Sequence, residues 1–167
     1  MMKWYLKHSG GLYHTPEQLL NGMSEIKYSD FIYLMSPTEV LVSKEGSCHD
    51  QALLEITELS SMGLEPKAKF LMSVDFYGQG GETHSFVYYE KGGYWYWFEH
   101  AWSDLAGIRK YHSEDELISS VILAFGQRVG FDRLYIADFE PEDHTIGEDL
   151  STFVDICMNS AEEYQID

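Results

Sequence analysis

Thr83-His84-Ser85-Phe86-Val87-Tyr88-Tyr89-Glu90-Lys91-Gly92-Gly93-Tyr94-Trp95-Tyr96-Trp97-Phe98-Glu99-His100-Ala101 holds two aromatic, β-prone runs around a glycine pair. Such runs separated by a short glycine turn predict an antiparallel hairpin. The turn decides which side chains meet. A Lys91-Gly92 loop sets His84 directly opposite Glu99. A Gly92-Gly93 loop sets Glu99 opposite Phe86 and diagonal to His84, still on one face. A three-residue loop with a bulge would break that parity.

Upstream, Gly46-Ser47-Cys48-His49-Asp50-Gln51-Ala52 opens a helix. Ser47 is the expected cap and Asp50 stands in the capping-box position. Ala52, Leu53, Ile56 and Leu59 recur at helical spacing, and Gly63 ends the run. Cys48 shares that stripe, so its side chain is expected to face inward. A thiol at a helix N-terminus meets unpaired N–H groups and partial positive charge, which favour thiolate. With an imidazole at His84 and a carboxylate at Glu99, the pattern supplies a nucleophile, a base and an orienting acid.

The remaining elements follow from caps and apolar runs. Thr15-Pro16 starts a helix that Asn21-Gly22 stops, and Ser36-Pro37-Thr38-Glu39 starts another to about Ser43. Lys67 to Tyr77 reads as a strand, followed by a Gly78-Gln79-Gly80-Gly81 connection. Ser113-Glu114 opens a helix to about Gln127, Arg133 to Phe139 reads as a strand, and Glu148 to Tyr164 as a last helix. The order predicts an α+β fold in which the Cys48 helix packs on an antiparallel sheet. The whole length, 1–167, is expected to form one domain, with a motif core over 36–107 and a helix-strand-helix extension over 108–167.

Composition bounds the function. The 167 residues are 44% hydrophobic and 15% aromatic, enough for a core without disulfides. Two distant cysteines, Cys48 and Cys157, suit a reducing, cytoplasmic setting, with Cys157 expected in the core of the last helix. Met1 to His8 shows no secretory signal, and no apolar run is long enough to span a membrane. Twenty-eight acids against eleven Lys and Arg give a net charge of -17, which disfavours nucleic-acid binding. It fits a solvated surface, a basic partner or substrate, or a mimic of nucleic-acid charge. Cys48, His49, His84 and His100 show no paired metal-ligand spacing, and no phosphate-binding glycine motif is present. His49 is expected as a partly exposed helix residue and His100 on the strand face away from Glu99. His8, His14, His112 and His144 show no partner pattern.

Ser36 to about Gly107 resembles the transglutaminase-like superfamily of papain-type cysteine enzymes. The resemblance rests on Gly46-Ser47-Cys48-His49-Asp50-Gln51-Ala52, on Gly63 one helix later, and on His84-Ser85-Phe86-Val87 followed by a turn, Trp95 or Trp97, and Glu99. The chain departs from the usual pattern at Phe86, where a tryptophan is common, and at Glu99-His100, where aspartate and proline are. The resemblance implies a papain/transglutaminase-like core and a cofactor-free acyl-transfer enzyme acting on a peptide or protein carboxamide. Cys48 would attack, His84 would move protons and Glu99 would orient His84. Tyr33 is the candidate oxyanion donor, beside the Cys48 backbone N–H. Water as acceptor makes a protease or amidase, an amine makes a transglutaminase, and the resemblance favours hydrolysis. The alternative is an inactive acidic interaction protein or charge mimic on the same fold.

Overall fold

A computed structural model describes residues 11–75 and 77–167. The N-terminal stretch read as free of a signal, and Phe76 within the strand expected over Lys67 to Tyr77, lie outside the described residues. The helices start where their caps stand. Thr15 accepts from Gln18 N–H to open α1 (Pro16–Gly22). Ser36 and Glu39 close a reciprocal capping box on α2 (Pro37–Ser43), and Ser47 and Asp50 close another on α3 (Cys48–Ser61). Each such cap supplies about 1 kcal/mol. α4 (Glu114–Val129) is capped by Ser113 and stops at Gly130, whose φ of 76° favours glycine. α5 (Leu150–Met158) is capped by Asp149.

Two short strands, β1 (Lys27–Tyr28) and β2 (Glu45–Gly46), pair in parallel just ahead of Cys48. The main sheet has six antiparallel strands: β3 (Lys67–Val74), β4 (Gly80–Lys91), β5 (Tyr94–Glu99), β6 (Gly107–Tyr111), β7 (Arg133–Asp138) and β8 (Glu162–Gln165). Their order is β6-β5-β4-β3-β7-β8. The chain is therefore a mixed α+β fold with five described helices.

Period-two alternation gives the sheet two buried faces. Phe70, Val87, Tyr89 and Phe98 pack against α1, α2, α3 and α5. Leu71, Phe86, Tyr88 and Trp97 pack against Leu117, Val121 and Phe125 of α4. The hairpin turn is Gly92-Gly93, with Lys91 paired to Tyr94. Both glycines have positive φ, 62° and 84°, as a two-residue hairpin turn requires.

The expected last helix is corrected. It ends at Met158, and Glu162–Gln165 is β8 on the free edge of β7. The Ser160 hydroxyl accepts from Asp138 N–H across that corner, so the chain turns back into the sheet. β6 also lacked an expectation. The third strand stops at Val74, three residues before the expected Tyr77, where its register with β4 shifts. No described helix is long and apolar enough to cross a membrane.

Candidate active site

Cys48 is the first residue of α3 and is 5% exposed. Several bonds fix the helix start. Asp50 Oδ2 accepts from both the backbone N–H and the hydroxyl of Ser47, and Asp50 Oδ1 accepts from Met35 N–H at 2.8 Å. Gln51 donates to Gly46 O at 2.9 Å and accepts from His100 Nδ1 at 2.7 Å. The thiol therefore sits on a first turn tied to the loop before α2, to β2 and to the residue after β5.

β4 carries His84, which is 1% exposed. The Gly92-Gly93 turn selects the diagonal register of the two anticipated, and it brings Glu99, 3% exposed, within reach. His84 Nε2 lies 2.8 Å from Glu99 Oε1. The other carboxylate oxygen accepts from Trp102 N–H at 3.2 Å. Trp102 also stacks its indole on the His84 ring, centroids 3.7 Å apart and planes within 10°. An imidazolium over an indole face gains a cation–π contribution. With Nε2 engaged by Glu99, Nδ1 remains for the thiol.

The ionisation states follow from this enclosure. Burial alone would push the Cys48 thiol up. The charges and hydrogen bonds of His49 and then His84 outweigh burial and bring it down to about 5. Burial would likewise lower His84, but Glu99 and Cys48 raise it to about 9. Between those values the site holds a thiolate against an imidazolium, with Glu99 behind the ring. Glu55, two turns along α3 and 4% exposed, is held well above an ordinary carboxylic acid by burial and then by Glu99 and Cys48.

Two expectations change, for His49 and His144. His49 is not partly exposed but 2% exposed. Its Nδ1 lies 2.7 Å from Ser85 Oγ and its Nε2 3.1 Å from Thr83 Oγ1, and its ring packs among Phe31, Phe70 and Phe153. His100 is half-buried on Gln51, and desolvation lowers its pKa. His144 has two partners: Nδ1 is 2.5 Å from Glu148 Oε1, and Nε2 is 3.8 Å from Cys157 Sγ. Cys157 is buried in the core, as expected.

Tyr33 is 40% exposed in the loop between β1 and α2, and no described interaction ties it to the thiol. Tyr28, at the end of β1, is the tyrosine that feels Cys48. Burial and then the Cys48 charge push its phenol up to about 12. Among the described residues no three His, Cys, Asp or Glu side chains are grouped to hold a metal. A surface cavity lined by Ile56, Ser60, Lys67, Tyr88 and Glu140 lies by the far half of α3 and is lined by none of Cys48, His49, His84 and Glu99.

No protein-family model matches this chain, and no curated protein matches it. The geometry alone therefore argues for what the site can do. A buried thiolate at a helix N-terminus, an imidazolium beside it and a carboxylate behind the ring are the elements of nucleophilic acyl transfer.

Proposed function

We propose that the protein is a cysteine-dependent enzyme of amide bonds, on a papain/transglutaminase-like core. What supports the reading is the buried Cys48–His84–Glu99 line with its separated thiol and imidazole ionisations. The thiolate attacks the amide carbon, forming the S–C bond and sending the carbonyl π pair to oxygen. The Cys48 backbone N–H receives that oxygen. As the tetrahedral species collapses, the C–N bond breaks and His84 gives its proton to the departing amine. Water then attacks the thioester and passes a proton to His84, and the C–S bond breaks to restore the thiolate. An amine in place of water makes transamidation. Glu99 keeps the ring oriented and stabilises its charged form throughout.

The test needs no known substrate at first. Iodoacetamide at pH 6 should alkylate Cys48 about tenfold or more faster than it alkylates glutathione. Cys48→Ala should abolish that labelling. Mass spectrometry of a peptide pool incubated with the protein then separates side-chain deamidation, backbone hydrolysis and capture of a fluorescent primary amine. Alkylation no faster than glutathione would remove the enzyme reading. The net charge of -17 would then favour the interaction-protein reading, whose signature is a basic partner released by salt.

A further inference from the structure

The residue after the nucleophile is attached to the residues on either side of the base. His49 reaches Ser85 Oγ through Nδ1 at 2.7 Å and Thr83 Oγ1 through Nε2 at 3.1 Å. Thr83 and Ser85 flank His84 on β4, and strand alternation turns them to the face opposite His84. β4 thus presents His84 on one side and grips the start of α3 from the other. The β4–β5 ladder begins only at Val87–Phe98, so no strand on the β5 side holds Gly80 to Ser85. Phe31, Phe70 and Phe153 surround the His49 ring and leave it little freedom.

We infer that His49 is a positioning residue of the Cys48 nucleophile: it clamps the first turn of α3 onto β4 beside His84 and so fixes where the sulfur stands relative to that ring. The inference rests on the triad reading above. It divides the labour between two rings. His84, backed by Glu99, moves protons. His49, held by two hydroxyls, has no carboxylate on its ring and fixes the helix start without entering the proton transfers.

The titratable groups around this pair are few. Tyr28 approaches from β1, Asp50 and Glu55 from α3, His84 from β4 and Glu99 from β5. His144 lies beyond Phe153 and repels His49. Of these, only His49 and His84 favour the thiolate.

The experiment is the pH dependence of iodoacetamide alkylation of the full chain. His49→Gln retains a polar head for the hydroxyls, and His49→Phe retains a ring for the aromatic pocket. Each should raise the alkylation midpoint by at least one pH unit, whereas a purely structural role would be rescued by one of them. Where either His49 variant fails to fold, Thr83→Val with Ser85→Ala decides, with an expected upward shift of smaller size. A folded His49 variant or hydroxyl double variant with an unchanged midpoint overturns the inference and leaves the triad standing. A wild-type midpoint near that of glutathione sinks the triad itself.

Discussion

Two regions of this molecule carry the same three residue types in a line, and they have opposite chemistry. Cys48, His84 and Glu99 meet at the start of α3; Cys157, His144 and Glu148 meet at the end of α5. Each histidine reaches a carboxylate, at 2.8 Å and 2.5 Å respectively. Yet the Cys48 thiol is brought down to about 5, while burial, then Glu148 and Asp143, push Cys157 up to about 12. Helix polarity acts in the same sense. Cys48 stands at an N-terminus, where partial positive charge favours the anion; Cys157 stands in a last turn, where exposed carbonyls oppose it. The histidines diverge as well. His84 is raised to about 9, whereas burial lowers His144 despite Glu148 and Asp143, with His49 adding repulsion. A thiol, an imidazole and a carboxylate therefore do not make a nucleophile by proximity. The helix end and the sign of the nearest charges decide.

The largest test of that contrast is selective labelling. At pH 6 the folded protein should lose one thiol to iodoacetamide and the unfolded protein two at higher pH. Cys48→Ala should abolish the native signal, and Cys157→Ala should leave its rate within about twofold. Next in size, His84→Ala should lower turnover by about 10²–10⁴-fold, the usual range for a lost acid–base group. His144→Gln should leave turnover nearly unchanged. The pH profile sharpens the pair. Activity requires thiolate and imidazolium together, so it should rise with pH through about 5 and fall through about 9. Glu99→Gln removes the charge that raises His84 and should pull the falling limb to lower pH. Glu148→Gln should leave both limbs in place and cost about 1.5–3 kcal/mol of stability as a buried charge-assisted bond is lost. The smallest effect concerns what lies between the regions. Phe153 lies between His49 and His144, its ring tilted on the first at 4.5 Å and stacked on the second at 4.4 Å. Phe153→Leu should destabilise the fold by about 1 kcal/mol in urea titration and loosen both rings.

The helix starts were legible because caps are local. Thr15, Ser36, Ser47, Ser113 and Asp149 each close a bond within three residues of themselves. Of these, the Asp149 cap is the one the sequence hides, and the expected last helix starts two residues before the observed one and ends six residues after it. The hairpin was legible to within its two registers, and the glycine pair resolved them. β6 and β8 were not legible. Gly107-Ile108-Arg109-Lys110-Tyr111 and Glu162-Glu163-Tyr164-Gln165 are edge strands, where charge protects the open edge and apolar alternation is weak. His84 and Glu99 were readable because one turn joins them. His49 was not, since helix geometry points it away from the Cys48 stripe and only the docking of β4 buries it. The flanking hydroxyls of Thr83 and Ser85 were the available signal. His144 gains its thiol only when α5 folds back over the sheet, a contact without any local trace.

Gly92-Gly93 has a consequence well beyond its own loop. Glu99 lies six residues past Gly93, about 20 Å of extended chain, so the tip of a surface hairpin aims a group buried at the other end. Lengthening that tip by one residue would rotate the returning strand by half a turn and present Phe98 or His100 where the acid belongs. Lengthening it by two could restore the aim. Insertions there should be tolerated by parity rather than by size.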